Sequence, residues 1–376
     1  MEKTSRLAFI DLHRGLVLLL MIEVHVFNAF LLQSYRPSGW FMILNFINGL
    51  VAPSFLFISG FAFILASQKK IKEFRTFGWQ FYRQVGRILL ILLAGYSLHL
   101  PYFNLSKTLQ KSTPEQWRHL FAIDVLQCIA VSLLLLFLLR LVITNDRVFK
   151  YITAFFTLAF ILPAPQIWVT DFSGMLHPAL AAYMNKMGGS LFPLFPWSGF
   201  LFLGAFLSII FSEFRQKGEE AKYFGAMLYT GIIFVLAGSL LYIEESPLHM
   251  AMMKPEITFF FLRAGYIFLI FYACWLFAKQ GERPAVRILS GFGKESLLVY
   301  WLHLQVIYRK IGGESLNGSF KYTLNVMESI AATILLAALM WGAAYGWSAL
   351  KQNYPKAFQY GTPAAVAALI IFYIST

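Results

Sequence analysis

Long apolar stretches alternate with short charged or Gly/Pro-rich breaks, and the stretches run about 17 to 25 residues, the length that carries a helix across a bilayer. Reading between the breaks gives eleven segments: Ala8–Leu32, Ile43–Ser67, Ile88–Phe103, Leu120–Ile143, Tyr151–Trp168, Ser190–Phe211, Tyr223–Ile243, Ile257–Phe277, Ser296–Tyr308, Val326–Leu350 and Thr362–Ile374. The ninth and eleventh are short, so ten spans also fit. No polar linker, fixed-period repeat or low-complexity tract interrupts the series. Residues 1–376 are therefore expected to form a single transmembrane domain, an all-α polytopic helical bundle of about eleven membrane helices.

Composition agrees. Of the 376 residues, 59% are apolar and only 13% are charged, too few to clothe a soluble protein of this size. The mean hydropathy is +0.64. The net charge of +13 would suggest nucleic acid in a soluble protein, but here it is read through the loops, and no nucleic-acid partner is expected. Assigning alternate loops to opposite sides puts about twenty Lys and Arg on one side and about nine on the other. That places the N-terminus in the cytoplasm; the expected location is the bacterial inner membrane. Lys3 and Arg6 precede the first span as in a signal peptide, but Asp11, His13 and Arg14 interrupt its start and no small-x-small site follows, so it is expected to stay in the mature chain. Cys128 and Cys274 each sit inside an apolar run, and no His/Glu spacing suits a metal, so neither disulfide nor metal is expected.

Ionisable residues inside a span cost about 2.5–3.5 kcal/mol each at the bilayer centre, and the first span holds several. Arg14 and His25 are eleven positions apart, three turns and about 16.5 Å, and fall almost in line; Asp11 and Asn28 lie within about 60° of them. Glu23 faces the opposite way. A lone histidine would more often bond a neighbouring helix, and Asp11 could simply pair with Arg14 near the headgroups. Four polar groups on one stripe favour a hydrated cavity instead. Ser296, Tyr300 and His303 form a second stripe at i, i+4 and i+7, open either to helix–helix bonding or to a site. Asp124, Arg263 and His99 stand singly in three other spans, where packing or ion pairing is the expected role. Between the second and third spans, Gln68–Arg87 carries Lys69, Lys70, Lys72, Arg75, Arg83 and Arg87 among aromatic residues, suiting anionic membrane lipids or a nucleotide phosphate.

The stretch Arg6-Leu-Ala-Phe-Ile-Asp11-Leu-His-Arg14-Gly15, followed by an apolar run to His25, resembles the opening of the transmembrane acyltransferase superfamily, whose Arg-x10-His pattern Arg14 and His25 meet. It also resembles acyltransferase type 3 proteins through the same pattern. Pro53–Gly60, Asp124–Ala130, Phe192–Gly199 and Gly293–His303 are similar, in that order, to the branch containing heparan-alpha-glucosaminide N-acetyltransferase. The resemblance implies an eleven-helix enzyme moving an acyl group from cytoplasmic acyl-CoA, acetyl-CoA first among donors, to a glycan or lipid-linked sugar on the far side of the membrane. It implies His25 as base or acyl carrier, with Arg14 on the donor side. The lysosomal enzyme of that branch has Asn at the place of His25 and a histidine in the first outer loop; Gln33–Met42 has none here, so the base follows the wider superfamily.

Thioester aminolysis or alcoholysis needs a base of near-neutral pKa beside the acceptor and dipoles at the developing oxyanion. His25 suits the first task, and Asn28, one turn on, suits orienting the acceptor or donating to the oxyanion. Asp11, Arg83 and Arg87 join Arg14 as candidate donor contacts, and Ser296, Tyr300, His303 and Trp197 as candidates for the acceptor pocket. Direct transfer and an acyl-histidine route both fit. A transporter or lipid flippase would also bury ionisable residues near the midplane, although the paired, interrupted halves common in transporters are not visible.

Overall fold

A computed structural model of the chain describes residues 7–241, 256–281, 283–310 and 313–375. Its long helices are α1 (Ala8–Phe30), α2 (Gly39–Asn48), α3 (Val51–Ser67), α4 (Trp79–His99), α5 (Val125–Val142), α6 (Asp146–Ile161), α7 (Leu194–Gln216), α8 (Glu220–Leu241), α9 (Ile257–Lys279), α10 (Pro284–Lys294), α11 (Ser296–Tyr308), α12 (Val326–Asn353) and α13 (Pro355–Ser375). Among the described residues there is no β-strand, only a lone parallel bridge between Leu31 and Leu324. Eight helical segments are long and apolar enough to cross a membrane by length and composition. We call the end where α1 starts the near end and the end where it finishes the far end.

Over the described residues the apolar stretches are helical with shifted boundaries: the second is split into α2 and α3, the fifth breaks after Ile161, and the end of the seventh, Ile243, lies outside the described residues. The third segment, expected over Ile88–Phe103, is α4 from Trp79 to His99, so Arg83 and Arg87 lie on the helix instead of in a loop. Their long side chains can reach out of the apolar layer while the backbone remains in it. The fourth, expected from Leu120, begins at Val125 because Asp124 caps it, Oδ1 accepting from the Val125 amide at 2.7 Å. Pro114–Phe121 forms a separate short helix with a capping box between Thr113 and Gln116. Periodicity gave no hint of α10.

The bundle closes around α1, which packs on α3, α9, α10, α11 and α12. Glycine sets how near the neighbours come. A Cβ on Gly15 would lie 2.6 Å from the carbonyl carbon of Leu289, and one on Gly293 2.8 Å from that of Asp11, so α1 and α10 touch backbone to backbone. Gly60 and Gly204 do the same for α3 and α7, each against the other helix's carbonyl, at Leu201 and Phe57. Ser132 and Ser198 hydroxyls bond at 2.7 Å where α5 meets α7. At its far end α1 is tied to the segment before α12: the Leu32 amide donates to Leu324 O and the Leu324 amide to Phe30 O, both at 2.9 Å. The outermost helix, α13, has no buried residue, and α12 has few, as expected of helices facing lipid.

With 13 residues, α11 is about 20 Å long and too short for a hydrocarbon layer of about 30 Å. It continues α10 after a break at Glu295, whose carboxylate accepts from Lys351 Nζ of α12 at 2.5 Å. The break turns the chain: α10 packs antiparallel to α1, with Leu289 at Gly15 and Gly293 at Asp11, whereas α11 rises towards the far end and brings His303 to His25.

Candidate functional site

Two histidines from opposite ends of the sequence meet near the far end. Imidazole Nδ1 of His25 lies 2.8 Å from the Met21 carbonyl one turn back on α1, and Nδ1 of His303 lies 2.8 Å from the Val299 carbonyl on α11. A carbonyl only accepts, so both Nδ1 atoms carry hydrogen and both Nε2 atoms present lone pairs. His303 Nε2 stands 3.3 Å from His25 Nδ1, with ring centroids 5.0 Å apart. His303 is fully buried while His25 is partly open. The pair therefore leaves one basic atom for chemistry, Nε2 of His25, and backs it with a neutral acceptor that can stabilise the imidazolium formed by proton uptake.

Other side chains complete the surroundings. The Tyr300 ring lies 5.8 Å from His303 and 6.4 Å from Phe55 of α3; Tyr308 lies 6.2 Å from His25. A cavity of about 80 Å³ beside them is lined by Ser59, Ser296 and Tyr300 with apolar residues of α3, α4, α5 and α11. Trp301 Nε1 donates to Ser97 Oγ at 2.9 Å, fixing α11 against α4. The carboxylate of Asp124 is within Coulomb range of His25, Tyr300 and Tyr308. Its Oδ2 is 3.9 Å from His99 Nε2, and the His99 ring lies 4.7 Å from that of His119. Asp124, His99 and His119 are polar neighbours of the site that sequence reasoning did not place there. Their common signal was position, at ends of consecutive segments assigned to one side of the membrane.

The expected residues do not all converge. Asn28 is exposed at the far end, where its carbonyl accepts from Arg36 at 2.9 Å. Trp197 is buried at 1% exposure among Phe192, Phe200 and Phe259. Glu23, on the other face of α1, has Asn48 of α2 beside it. At the near end Asp11 is buried and Arg14 partly open, 3.9 Å apart. Arg83 and Arg87 stand by Lys70, whose ammonium is held below its usual pKa by burial first and then by those two guanidiniums. His13, fully buried against Phe271 at 5.4 Å, was not expected to be enclosed. Among the described residues no group of three metal-ligating side chains occurs.

The model of the heparan-alpha-glucosaminide N-acetyltransferase catalytic family matches residues 6–244. The chain belongs to that family. Membership identifies a transferase-type membrane protein, and the match takes in Pro53–Gly60, Asp124–Ala130 and Phe192–Gly199 but not Gly293–His303. The match takes in α1 with Arg14 and His25, as well as Asp124; Tyr300 and His303 lie beyond it. Curated proteins give no significant match.

Proposed function

We propose that this family member is a membrane-embedded acyltransferase, which takes an acyl group, acetyl first, from cytoplasmic acyl-CoA and delivers it to a sugar hydroxyl or amine on the outer side. The observation that supports it best is the tautomer of His25. With Nδ1–H directed at Met21 O and His303 Nε2, proton uptake falls to Nε2. As the acceptor oxygen or nitrogen bonds to the thioester carbonyl, its proton moves to Nε2; the oxyanion collapses, the C–S bond breaks, and the proton passes to the CoA thiolate. His303 and the Asp124 carboxylate stabilise the transient imidazolium, and the Tyr300 and Tyr308 hydroxyls are candidate neutral donors to the oxyanion. The same lone pair on Nε2 would carry an acyl-histidine intermediate. The two routes differ in whether CoA leaves before the acceptor arrives.

By the loop charges, the near end is cytoplasmic. Arg14 lies there, about 16.5 Å from His25 along α1, and Lys70, Arg83 and Arg87 add cationic charge suited to the phosphates of CoA. In this reading Asn28 meets the acceptor at the rim. The test is acyl transfer by purified protein in liposomes, with bound acyl-CoA sought by mass spectrometry. His25→Ala should keep expression, Tm and acyl-CoA binding while losing about 10²–10⁴-fold in transfer. Arg14→Ala should weaken acyl-CoA binding more than acceptor binding. Activity of His25→Ala within a few-fold of the parent would overturn the assignment of the base.

A further inference from the structure

The far end carries a second concavity, away from the histidine pair. A cavity of about 530 Å³ opens between the short helix Pro114–Phe121 and the chain from Asp171 to Gly188, a volume typical of small-ligand sites. Trp117 and Phe121, one turn apart, form an aromatic wall with centroids 5.6 Å apart and planes at 30°, and Phe172 also lines the space. Arg118 Nη2 donates to Met187 O at 2.9 Å, which fixes the guanidinium at the edge. Asp171 is exposed. Its Oδ1 accepts from the Ser173 amide at 2.8 Å, and the backbone and side-chain hydrogen bonds of Ser173 keep the carboxyl below its usual range, hence ionised at neutral pH. Asn185 braces the shape, Nδ2 donating to Ile167 O at 3.0 Å and Thr170 O at 2.7 Å, and Oδ1 accepting from the Met187 amide at 3.0 Å. The cavity is thus built without a ligand.

Its chemistry discriminates between occupants. A phosphate-rich ligand would face the Asp171 carboxylate with Arg118 as the one cation lining the space. An acyl chain would leave both charged groups unused. A pyranose matches: its C–H face lies on an aromatic ring, its hydroxyl or amino groups donate to Asp171, and its oxygens accept from Arg118. We propose that the cavity is a saccharide subsite that holds a sugar unit of the acceptor glycan beyond the unit that reacts. Placement supports the link. Pro114–Phe121 turns Trp117 and Phe121 towards the cavity and His119, on its opposite face, towards His99 and so Asp124. One helix thickness, about 10 Å, separates the subsite from the polar neighbours of His25. The inference deepens the acyltransferase reading and rests on its glycan acceptor.

The test separates the two ideas because binding is measured without acyl-CoA. Purified full-length protein in fluorescent nanodiscs is applied to an array of hexose, amino-sugar and uronic-acid tetrasaccharides. The parent should bind at least one class above empty nanodiscs, and Trp117→Ala and Asp171→Asn should each weaken it at least tenfold. Asp171 is exposed, so its variant should fold even where Trp117→Ala does not, and Tm reports on both. No binding across the array, or binding that Asp171→Asn and a folded Trp117→Ala leave within threefold, overturns the subsite. Binding that depends on both residues, with no acyl transfer by the parent, keeps the subsite and sinks the acyltransferase reading.

Discussion

Replacing His303 by Ala isolates the contribution of the second histidine. The Nδ1–H of His25 keeps its bond to Met21 O, so the tautomer and the basic Nε2 survive. What is lost is the acceptor 3.3 Å from Nδ1. Hydrogen bonds to charged groups contribute about 1.5–3 kcal/mol, and the length of this one puts it around the lower bound, about 1–2 kcal/mol. At 1.36 kcal/mol per tenfold, kcat should fall about 5- to 30-fold, with KM for both substrates little changed because His303 touches neither. His25→Ala should fall much further. The double variant should be no worse than His25→Ala, since with the base gone nothing remains for His303 to stabilise. The assay is initial-rate acyl transfer in proteoliposomes, with Tm and acyl-CoA binding as controls for folding. If His303→Ala loses as much as His25→Ala, His303 is itself the base or acyl carrier and the argument from tautomers is wrong; an unchanged rate would reduce the pair to a packing contact.

Three further outcomes are expected. With Cys128 and Cys274 both buried and giving little background, a thiol reagent that cannot cross the membrane should label Ser34→Cys in intact cells but Thr76→Cys only after permeabilisation; the reverse pattern would invert the orientation and place the donor on the wrong side. Gly60→Ala sets a Cβ against the Leu201 carbonyl and should cost about 1–3 kcal/mol, seen as a lower Tm in detergent, whereas Gly225→Ala, with open space around it, should not; equal Tm values would mean that α3 and α7 can separate freely. Asp124→Asn keeps a good helix cap but removes the charge near His25, so stability should hold while transfer drops about 5- to 30-fold, from about 1–2 kcal/mol of lost Coulomb energy; full transfer by this variant would leave the carboxylate with capping alone.

Hydropathy made the helices legible, and even the edges of Ser296–Tyr308 coincide with α11. Boundaries moved where a polar side chain decides them: Asp124 by capping α5, Arg83 and Arg87 by riding on α4. The Ser296, Tyr300 and His303 stripe follows from a period of 3.6, and Tyr300 and His303 do lie together. That His303 faces His25 could not be read, because helix periodicity fixes directions within a helix and says nothing about which helices adjoin. For the same reason Asn28, within about 60° of His25 by angle, ends exposed although Ala29, Phe30 and Leu31 beyond it are buried: the neighbours there cover another side of α1. Asp124 and His99 were expected to pack or pair singly; they pair with one another, and only the packing of α4, α5 and α11 brings them towards His25.

The ties between α1 and the last third of the chain have a consequence for how the protein is made. α1, made well before α10 to α12, carries Asp11, His13, Arg14, Glu23 and His25, yet it touches Leu289 and Gly293 backbone to backbone, and its far end is held by Leu324. At synthesis rates of about 5–20 residues per second, roughly 15 to 60 s pass between the two. During that interval α1 waits in the bilayer with its polar stripe uncovered, and nascent chains stopped before α10 lack the surface that buries it. Closure of the bundle around α1 therefore waits for α10 to α12, and the two histidines are brought together only once α11 has followed α1 into the membrane.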